Sequence, residues 1–529
     1  MSEDTQPQAM EPMPDPMTMV AAMLPDKLAV IDDRPDGTLI KWTFAEVEAL
    51  SNQLARGLLS TGIKPGTRVI SCGRNSPWLV AFGIASRKIG TTSVPLNYRL
   101  APEEAAYVVD NSDAEMVFAD AEYAPLFERI RGDIPQVKTI VIFDGQPGED
   151  MVSVTDLVDG QDGSEMPPAP QLGQALSMIY TSGTTGRPKG AVRGNAGDPE
   201  LLMKMIELIG YTPDDVYITT GPLYHSGPSS FMGIGLMMGQ TVVLQRKFNA
   251  EDWLRLVDKY KVSSTFSAPT PVRRICQLDD EILAKYDVSS MRILIANAAP
   301  WSYALKKLYL SKFPDDSLFE VYGSTELGVN TILTPPYQLS KPGSCGKPAP
   351  GVEIFLFDDD GNEVKEPHKP GELFVRSGSV FTTYHKADDQ FEKDRKGDMQ
   401  TVGDIAYFDE EGFYFICDRK KDMIISGGMN IYPAEIEDAL EHHEDIMDVA
   451  VFGIPSEEWG ESVHAVIVGR PGSGLGEDDV MAYAREHLAS YKMPRSLEFR
   501  EEIPRTGSGK ILKRELREPY WKDHNSQVV

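Results

Sequence analysis

The segment Tyr180–Gly190, which reads YTSGTTGRPKG, combines three glycines, four Ser or Thr residues and one lysine. Glycines allow backbone N–H groups to converge on an anion, hydroxyl groups donate hydrogen bonds, and lysine adds positive charge. The segment is not a Walker A loop, because Lys189 is preceded by Pro188 and followed by Gly190. A solvated linker can have the same composition. The segment alone therefore leaves a phosphate-binding loop and a surface linker both open.

Three later segments place charged residues beside small ones. Glu326 lies in VYGSTELG, behind an apolar run, and one carboxylate with phosphate oxygens suits Mg²⁺. Asp404 could accept hydrogen bonds from two ribose hydroxyls, and Arg419 could pair with phosphate or ribose. Lys510 follows a Thr-Gly-Ser-Gly run near the C-terminus. Each also has an ordinary interpretation, as a turn, as exposed charges near hairpins or as a solvated lysine.

Alternating elements would position these residues. Helical spacing alternates with short apolar strands from Trp42 to Asp120, and the alternation returns after the glycine-rich segment. This pattern predicts an α/β fold with doubly wound parallel sheets, in which ligands bind beyond the carboxyl ends of the strands. From Gly343 onward, strands joined by Asp/Gly turns predict hairpins and a small β subdomain. After Arg419 the pattern predicts a small α+β domain.

Composition restricts the partners. A formal net charge of −28 argues against nucleic acid, because phosphate backbones require clustered Lys and Arg. No apolar run approaches the ~20 residues that a transmembrane helix needs. The acidic, proline-rich N-terminus lacks the features of a secretion signal. We therefore expect a disordered lead-in over residues 1–24 and a cytoplasmic protein without a transmembrane segment.

Taken together in this order, YTSGTTGRPKG, YGSTE, GD, DRKKDMIISGG and RTGSGK resemble the AMP-forming acyl-adenylating family. That family comprises acyl-CoA synthetases, peptide-synthetase adenylation domains and firefly luciferase. The resemblance extends over roughly Leu28 to Glu518. It implies an N-terminal AMP-binding domain over residues 25–420 and a mobile C-terminal domain over residues 421–529. The hinge is then expected near residues 419–422, with Lys421 at the hinge position.

The resemblance also assigns residues to ATP. The phosphate-loop residues would hold the β- and γ-phosphates: Thr181, Ser182, Gly183, Thr184, Thr185 and Lys189. Residues around adenine would be Asn297, Ala298, Ala299, Tyr322 and Gly323, with Tyr322 stacking on the base. Asp404 would hold the ribose with help from Arg419.

The same resemblance implies how the reaction is catalysed. Thr325 would touch the α-phosphate and the substrate carboxylate, and Thr181 and Glu326 would bind Mg²⁺. Lys510 would bridge that carboxylate and the α-phosphate, supplying positive charge where two anions meet. The expected reaction converts a carboxylate and ATP to acyl-AMP and diphosphate, and CoA then displaces AMP.

The identity of the acid is less constrained. Relatives that activate amino acids usually have Asp at the position of His225. The histidine at this position therefore argues against an amino acid as the substrate. We group His225 with the catalytic residues, as a gate or a hydrogen-bonding group. The methionine-rich surroundings favour a medium- or long-chain fatty acid, or a bulky alicyclic or steroid-type acid. An aryl acid is the alternative. Because Trp301 is bulky, the sequence does not determine the shape of the acyl pocket.

CoA is the expected acceptor. Gly427 and Gly428, next to Ser426, could line a tunnel for its pantetheine arm, and Tyr491 and Arg495 resemble nucleotide contacts of the CoA ligases. A second step without CoA is the alternative. A luciferase-like oxidation and a non-catalytic nucleotide-binding relative are further rivals. The small-molecule partners are thus a carboxylic acid, ATP and CoA, and a homodimer is considered.

Overall fold

The computed structural model describes residues 14–168, 177–181, 188–194, 198–297, 299, 301–426, 429–456, 458–505 and 511–522. The chain divides into two compact units. The first comprises Met1–Asn195, Tyr211–Phe248 and Thr382–Lys386, and the second comprises Ala196–Gly210, Asn249–Phe381 and Ala387–Val529. The domain boundaries expected from the sequence, with a hinge near Arg419, stay predictions. The expectation of disorder up to residue 24 is wrong for the helix Pro16–Met23, because its apolar residues Met17 and Val20 are buried.

The first unit contains an eight-stranded sheet. In spatial order its strands are Thr383–Tyr384, Lys189–Arg193, Ser177–Thr181, Thr92–Pro95, Arg68–Cys72, Met116–Asp120, Thr139–Phe143 and Val152–Ser153. Neighbouring strands pair parallel, except that Lys189–Arg193 pairs antiparallel with the strand on each side of it. The unit also holds four strands that pair in the order Val216–Thr219, Thr241–Leu244, Leu28–Asp33 and Leu39–Thr43.

Helices cover both faces of the eight-stranded sheet. Consecutive strand residues enter different cores: Ile70 and Val117 pack in one, and Val69 and Phe118 in the other. This explains the continuous apolar runs in the sequence, because strands buried on both faces do not alternate with polar residues. The helices of the unit are Pro16–Met23, Phe44–Ser60, Pro77–Ile89, Pro102–Asn111, Ala124–Arg129, Val154–Val158 and Ser226–Met237, with short 3₁₀ turns at Ala121–Tyr123 and Arg131–Asp133.

The second unit repeats the alternation. Its first strands pair in the order Lys347–Pro348, Gly328–Leu333, Leu318–Ser324, Ile293–Ala296 and Ser264–Ser267, the last three being parallel. The helices nearby in sequence are Pro199–Ile209, Ala250–Tyr260, Pro269–Cys276, Asp280–Leu283 and Tyr303–Leu310, with a 3₁₀ turn at Pro335–Tyr337. The predicted doubly wound α/β class is confirmed.

Two smaller sheets follow. The six strands of the first are Glu353–Phe357, Gly371–Arg376, Arg395–Lys396, Met399–Gln400, Asp404–Phe408 and Tyr414–Arg419, with the helix Asp388–Lys393. The five strands of the second are Ile424–Ser426, Met429–Ile431, Ile446–Ser456, Gly460–Gly469 and Ser496–Phe499. The second sheet is accompanied by Pro433–Glu441, Glu477–His487 and Lys513–Trp521, and by a 3₁₀ turn at Ser490–Lys492. These sheets match the predicted β subdomain and C-terminal α+β region.

Local sequence signals account for several helix ends. Thr43 and Glu46 form a reciprocal capping box at the start of Phe44–Ser60, which satisfies two backbone donors. Gly90 ends the helix Pro77–Ile89 in a left-handed conformation, with φ of 69°. None of the helices in the described ranges combines the length and apolar character needed to cross a membrane.

Candidate active site

The ends of the glycine-rich segment lie in the first unit. Thr181 and Lys189 face each other across the antiparallel pair Ser177–Thr181 and Lys189–Arg193. The Lys189 ammonium group lies 5.7 Å from the centre of the Tyr384 ring, and Tyr107 donates a 3.3 Å hydrogen bond to the carbonyl of Pro188. The strand before the segment is therefore present as predicted. Ser182, Gly183, Thr184 and Thr185 lie outside the described residues.

His225 also belongs to the first unit. It precedes the helix Ser226–Met237, and its ring centre lies 4.3 Å from that of Tyr224. Tyr224 makes an edge contact with Tyr98 at 5.2 Å between ring centres. Burial, together with the positive charge of Arg99, lowers the pKa of His225 to about 4, so the imidazole is neutral at pH 7. Its Nε2 atom is buried without a hydrogen-bond partner among the described residues.

In the second unit, three predicted nucleotide-binding residues come together. Asp404 and Arg419 are cross-strand partners in neighbouring antiparallel strands, and Arg419 Nε lies 3.4 Å from Asp404 Oδ1. Tyr322, at the end of the strand Leu318–Ser324, donates a 2.6 Å hydrogen bond to Asp404 Oδ2. One carboxylate thus joins a planar aromatic ring to a guanidinium group.

The electrostatics of this trio are mutually consistent. Burial raises the pKa of Tyr322 well above its ordinary value, and the negative charge of Asp404 raises it further, so the phenol keeps its proton. Burial opposes the charge of Arg419, but Asp404, Asp422 and Glu326 outweigh it and raise the guanidinium pKa. A protonated phenol, a buried carboxylate and a permanent cation are suited to holding a sugar hydroxyl pair beside a phosphate.

The turn with Thr325 and Glu326 connects Leu318–Ser324 to Gly328–Leu333. Glu326 is buried, with 8% of its surface exposed, and its carbonyl accepts a 2.7 Å hydrogen bond from the Phe381 amide. Gly323 must lack a side chain, because a Cβ there would lie 2.2 Å from the Gly328 carbonyl oxygen. The glycine in YGSTE therefore permits a tight turn that buries a carboxylate.

Asn297 follows the strand Ile293–Ala296, and its side-chain amide donates a 2.5 Å hydrogen bond to the carbonyl of Val321. It thereby contacts the strand that carries Tyr322 and Gly323. Ala299 is partly buried, whereas Ala298 lies outside the described residues. The predicted adenine-site segments are thus brought together in part.

The residues predicted for the hinge and for CoA lie in the C-terminal region. Lys421 is exposed in the turn after Tyr414–Arg419, and Ser426 is buried at the end of its strand. Tyr491 is 40% exposed, and the Arg495 guanidinium group lies 4.4 Å from the centre of the Trp459 ring. Gly427, Gly428 and Lys510 lie outside the described residues.

Sequence reasoning missed two features of this region. The first is Trp459, whose signal was a single aromatic residue within the charged run EEWGE. The second is a partly buried ion cluster near the expected hinge: Lys513 Nζ lies 2.8 Å from Glu437 Oε1. Asp418 accepts a 3.1 Å hydrogen bond from the Ala434 amide and contributes to the field that raises the pKa of Lys513 against the effect of burial.

These features define a class of protein: an α/β enzyme whose strand-end motifs can hold a nucleotide. The sequence profile of the AMP-binding enzyme family matches residues 18–385, and that of the AMP-binding enzyme C-terminal domain matches residues 435–510. The chain belongs to this family, that of the AMP-forming acyl-CoA ligases.

Named relatives cover nearly the whole chain. A fatty acid–[acyl-carrier-protein] ligase, ScoC, from Streptomyces coeruleorubidus is 32% identical over 92% of this chain and 93% of its own. An indoleacetate–CoA ligase from Aromatoleum aromaticum is 32% identical over 90% of this chain and 92% of its own. The crystal structure of the anthranilate CoA ligase AuaEII with anthranoyl-AMP has a TM-score of 0.87 at 25% identity, covering 97% of this chain and 98% of that one.

Proposed function

We propose that the protein activates a carboxylic acid other than an amino acid and transfers it to CoA. In the first step, a carboxylate oxygen attacks the α-phosphorus of ATP, the bond to the β-phosphate breaks, and diphosphate leaves. In the second step, the CoA sulfur attacks the acyl carbon, the bond to AMP breaks, and the thiol proton is released. The observation that carries this proposal is the Tyr322–Asp404–Arg419 arrangement.

That arrangement fits adenosine. Asp404 keeps lone pairs for the two ribose hydroxyls while it accepts from Tyr322 at 2.6 Å. Tyr322 is held at its hydroxyl end, so its ring is a fixed surface for stacking against a purine. Arg419, with its raised pKa, adds a permanent positive charge beside the carboxylate. This chain's net charge of −28 makes such local cations necessary for an anionic substrate.

The remaining catalytic roles are assigned by the motifs. Thr181, Lys189 and the segment between them hold the leaving diphosphate, and Thr325 lies toward the α-phosphate. Lys510 places a positive charge where the substrate carboxylate meets the α-phosphate and so reduces the repulsion between the two anions. The loss of such a preorganised charge lowers the rate by on the order of 10²–10³. The C-terminal domain, residues 421–529, is proposed to turn about Lys421 between the two steps.

Mg²⁺ is the proposed metal. Among the described residues, no group of three or more His, Cys, Asp or Glu side chains could hold an ion. Glu326, 8% exposed in the YGSTE motif, instead provides one carboxylate. That suits Mg²⁺, which takes one or two protein carboxylates and completes its shell with phosphate oxygens and water. Thr181 would supply a hydroxyl. When bound, the ion neutralises diphosphate as it leaves.

For the acid, we propose a medium- or long-chain fatty acid or a bulky alicyclic acid. In either protonation state the imidazole of His225 lacks the negative charge that would pair with an α-ammonium group, and its lowered pKa keeps it neutral at pH 7. The relatives support two classes: ScoC is named for fatty acids, whereas other relatives are named for indoleacetate and anthranilate. An aryl acid therefore stays the second candidate.

For the acceptor, we propose CoA. The Arg495 guanidinium stacked at 4.4 Å on Trp459, with Tyr491 exposed nearby in sequence, offers a cation and an aromatic surface for a nucleotide. Ser426 and the two glycines after it would border the pantetheine arm. ScoC is named for a carrier protein, which makes a carrier-protein acceptor the alternative. A cytoplasmic location and a homodimer are further proposals.

Pyrophosphate release tests the first step. We expect release with ATP, Mg²⁺ and at least one of a panel of fatty, alicyclic, steroid-type and aryl acids. Lys510→Ala should lower this rate by roughly 10²–10³, yet still convert presynthesised acyl-AMP and CoA to acyl-CoA. Lys365→Ala, which removes a lysine with a 75% exposed side chain, is the control. Failure of every acid, or an unchanged rate in Lys510→Ala, would contradict the proposal.

A further inference from the structure

Glu461 is a buried carboxylate, 6% exposed, on the strand that begins at Gly460. Its Oε2 atom accepts a 2.8 Å hydrogen bond from the backbone amide of Ile425. Gly460, the residue before it, is the cross-strand partner of Ser426. The short strand that contains Ile425 and Ser426 is therefore attached to its neighbour at two consecutive residues, and one of these attachments is made by a side chain.

The second oxygen of Glu461 has a charged partner. Arg517 Nη2 lies 3.1 Å from Glu461 Oε1, with 16% and 8% of the two side chains exposed. The other terminal nitrogen of Arg517 lies 3.5 Å from the carbonyl oxygen of Lys421, the residue at the expected hinge. Arg517 belongs to the helix Lys513–Trp521. The strand that Glu461 attaches is thus linked to this helix and to the hinge residue.

The position of the ion pair is restricted from both sides. A Cβ at Gly453, on the adjacent strand, would lie 2.9 Å from Glu461 Oε2, so the carboxylate occupies the space that a side chain would need there. The Trp521 indole donates a 3.1 Å hydrogen bond to the carbonyl of Gly453, and the Arg517 guanidinium lies 5.1 Å from the centre of the Trp521 ring. These four residues form a closed ring of contacts, which leaves the carboxylate little freedom to move.

Stability alone does not account for this pair. Burial raises the pKa of Glu461, whereas the Ile425 amide and the Arg517 guanidinium oppose that shift. Removing both charges from water has a desolvation cost that a hydrophobic pair of similar volume does not have. What the pair does provide is a fixed geometry, since the carboxylate that Arg517 holds is the one that bonds to the Ile425 strand.

We propose that Glu461, held by Arg517, is a positioning residue for the thioester-forming step. It fixes the strand of Ser426, which the proposed function assigns to the border of the pantetheine arm. This inference rests on the proposed function and adds to it a residue that acts through this strand. Small displacements of a positioning element can lower a rate by up to about 10²-fold, so the loss of Glu461 should slow the attack of CoA.

The adenylating step should depend less on Glu461. That step needs Lys510, which precedes the helix Lys513–Trp521 in sequence. This helix has anchors other than Arg517: Leu516 is fully buried, and Lys513 pairs with Glu437 at 2.8 Å. The two half-reactions therefore separate a positioning role from a general loss of structure.

Separate assays of the two steps test the proposal. Glu461→Leu removes the acceptor of the Ile425 amide, and we expect kcat/KM for CoA in acyl transfer from presynthesised acyl-AMP to fall by about tenfold or more. Pyrophosphate release should fall by about threefold or less, which shows that the domain carrying Lys510 is folded. Glu461→Gln keeps an oxygen that can accept from the Ile425 amide and should restore acyl transfer to within about threefold of wild type.

Arg517→Met tests the inference even if Glu461→Leu fails to fold. It should lower acyl transfer by about threefold or more, and by less in the Glu461→Leu background, because the two residues act through one contact. Arg500→Met is the matched control. It removes a guanidinium that lies 2.6 Å from Glu498, in a pair whose side chains are 35% and 32% exposed, and should leave the ratio of the two rates unchanged.

Equal losses in both steps would assign the pair to stability alone and overturn the inference, as would acyl transfer that Glu461→Leu leaves unchanged. A wild-type protein that releases pyrophosphate without acylating CoA would refute the proposed acceptor and this inference with it. Absence of pyrophosphate release with every acid would instead refute the proposed function.

Discussion

The hydroxyl of Tyr322 and the carboxylate of Asp404, 82 positions apart in the chain, are joined by a hydrogen bond of 2.6 Å. The bond links the ring proposed to stack on adenine to the carboxylate proposed to hold the ribose. Arg419 lies on the other oxygen of the same carboxylate, at 3.4 Å. Because each group restricts the next, these contacts hold the proposed nucleotide side of the site in place, which would lower the entropic cost of binding ATP.

Tyr322→Phe tests this organisation, since it keeps the ring and removes the hydroxyl. A hydrogen bond to a charged group contributes about 1.5–3 kcal/mol, so we expect the Kd for ATP to rise by roughly tenfold or more. The turnover number should change less. Isothermal titration calorimetry measures the affinity, and Tyr337→Phe, at a 39% exposed tyrosine, is the control. In an Asp404→Asn background the effect of Tyr322→Phe should shrink; an equal effect in both backgrounds would show that the two residues act independently.

The partly buried ion cluster predicts an effect on stability. Lys513→Met removes the 2.8 Å partner of Glu437 from a pair whose side chains are 17% and 16% exposed, and because the Val451 amide still donates to Glu437 we expect a cost of about 1–3 kcal/mol. The free energy of unfolding from urea denaturation should fall by this amount. Adding Glu437→Gln to Lys513→Met should restore part of it, because the uncompensated charge is then absent.

Lys365→Met supplies the matched comparison for that experiment. Its salt bridge with Glu363 is solvent-exposed, with 75% of the lysine side chain accessible, and such pairs contribute about 0–1 kcal/mol. Equal losses in Lys513→Met and Lys365→Met would contradict the assignment of a stabilising role to the partly buried Lys513 pair.

The neutral imidazole of His225 predicts a pH dependence of stability. Folding lowers its pKa from 6.5 to about 4, so between these values the unfolded chain takes up a proton that the folded chain does not. The neutral imidazole of His225 makes its whole contribution to the free energy of unfolding above pH 6.5. This contribution, about 3 kcal/mol, is lost as the pH falls toward 4. Urea denaturation of wild type and His225→Asn at pH 7.5 and 5.0 measures it. The difference in the free energy of unfolding between wild type and His225→Asn should be smaller at pH 5.0 than at pH 7.5, or change sign. For the control His487→Asn, at an exposed histidine, the difference from wild type should not change in this way.

The strand-end positions of the motifs were predictable because apolar runs and small residues are local signals. The strands at Ser177–Thr181 and Leu318–Ser324 confirm this for YTSGTTGRPKG and YGSTE. The contact between Tyr322 and Asp404 was not predictable, since it depends on how two sheets meet. The burial of Asn330 was not predictable either, because an asparagine in GVNTIL is typical of the exposed face of a strand. The last four residues of this strand, Asn330 to Leu333, are all buried, so both faces of the strand are covered there, which no local pattern marks.

Arg273 gives a prediction about the proposed domain movement. On the helix Pro269–Cys276, its guanidinium donates a 2.8 Å hydrogen bond to the Met447 carbonyl and lies 3.4 Å from Glu441. Met447 and Glu441 belong to the region proposed to turn about Lys421, so this contact stabilises one orientation of that region. Arg273→Ala should therefore change the two half-reactions unequally: the ratio of the rates of acyl-AMP formation and of thioester formation should change by about threefold or more.

Separate assays of the two steps, pyrophosphate release and acyl transfer from presynthesised acyl-AMP, measure that ratio. Arg274→Ala removes an exposed arginine from the same helix and should leave it unchanged. If Arg273→Ala slowed both steps by the same factor, the contact would contribute only to stability. If it altered neither, the orientation that Arg273 holds would have no bearing on catalysis. An unequal change is expected because a contact present in one orientation and absent from the other must shift their populations.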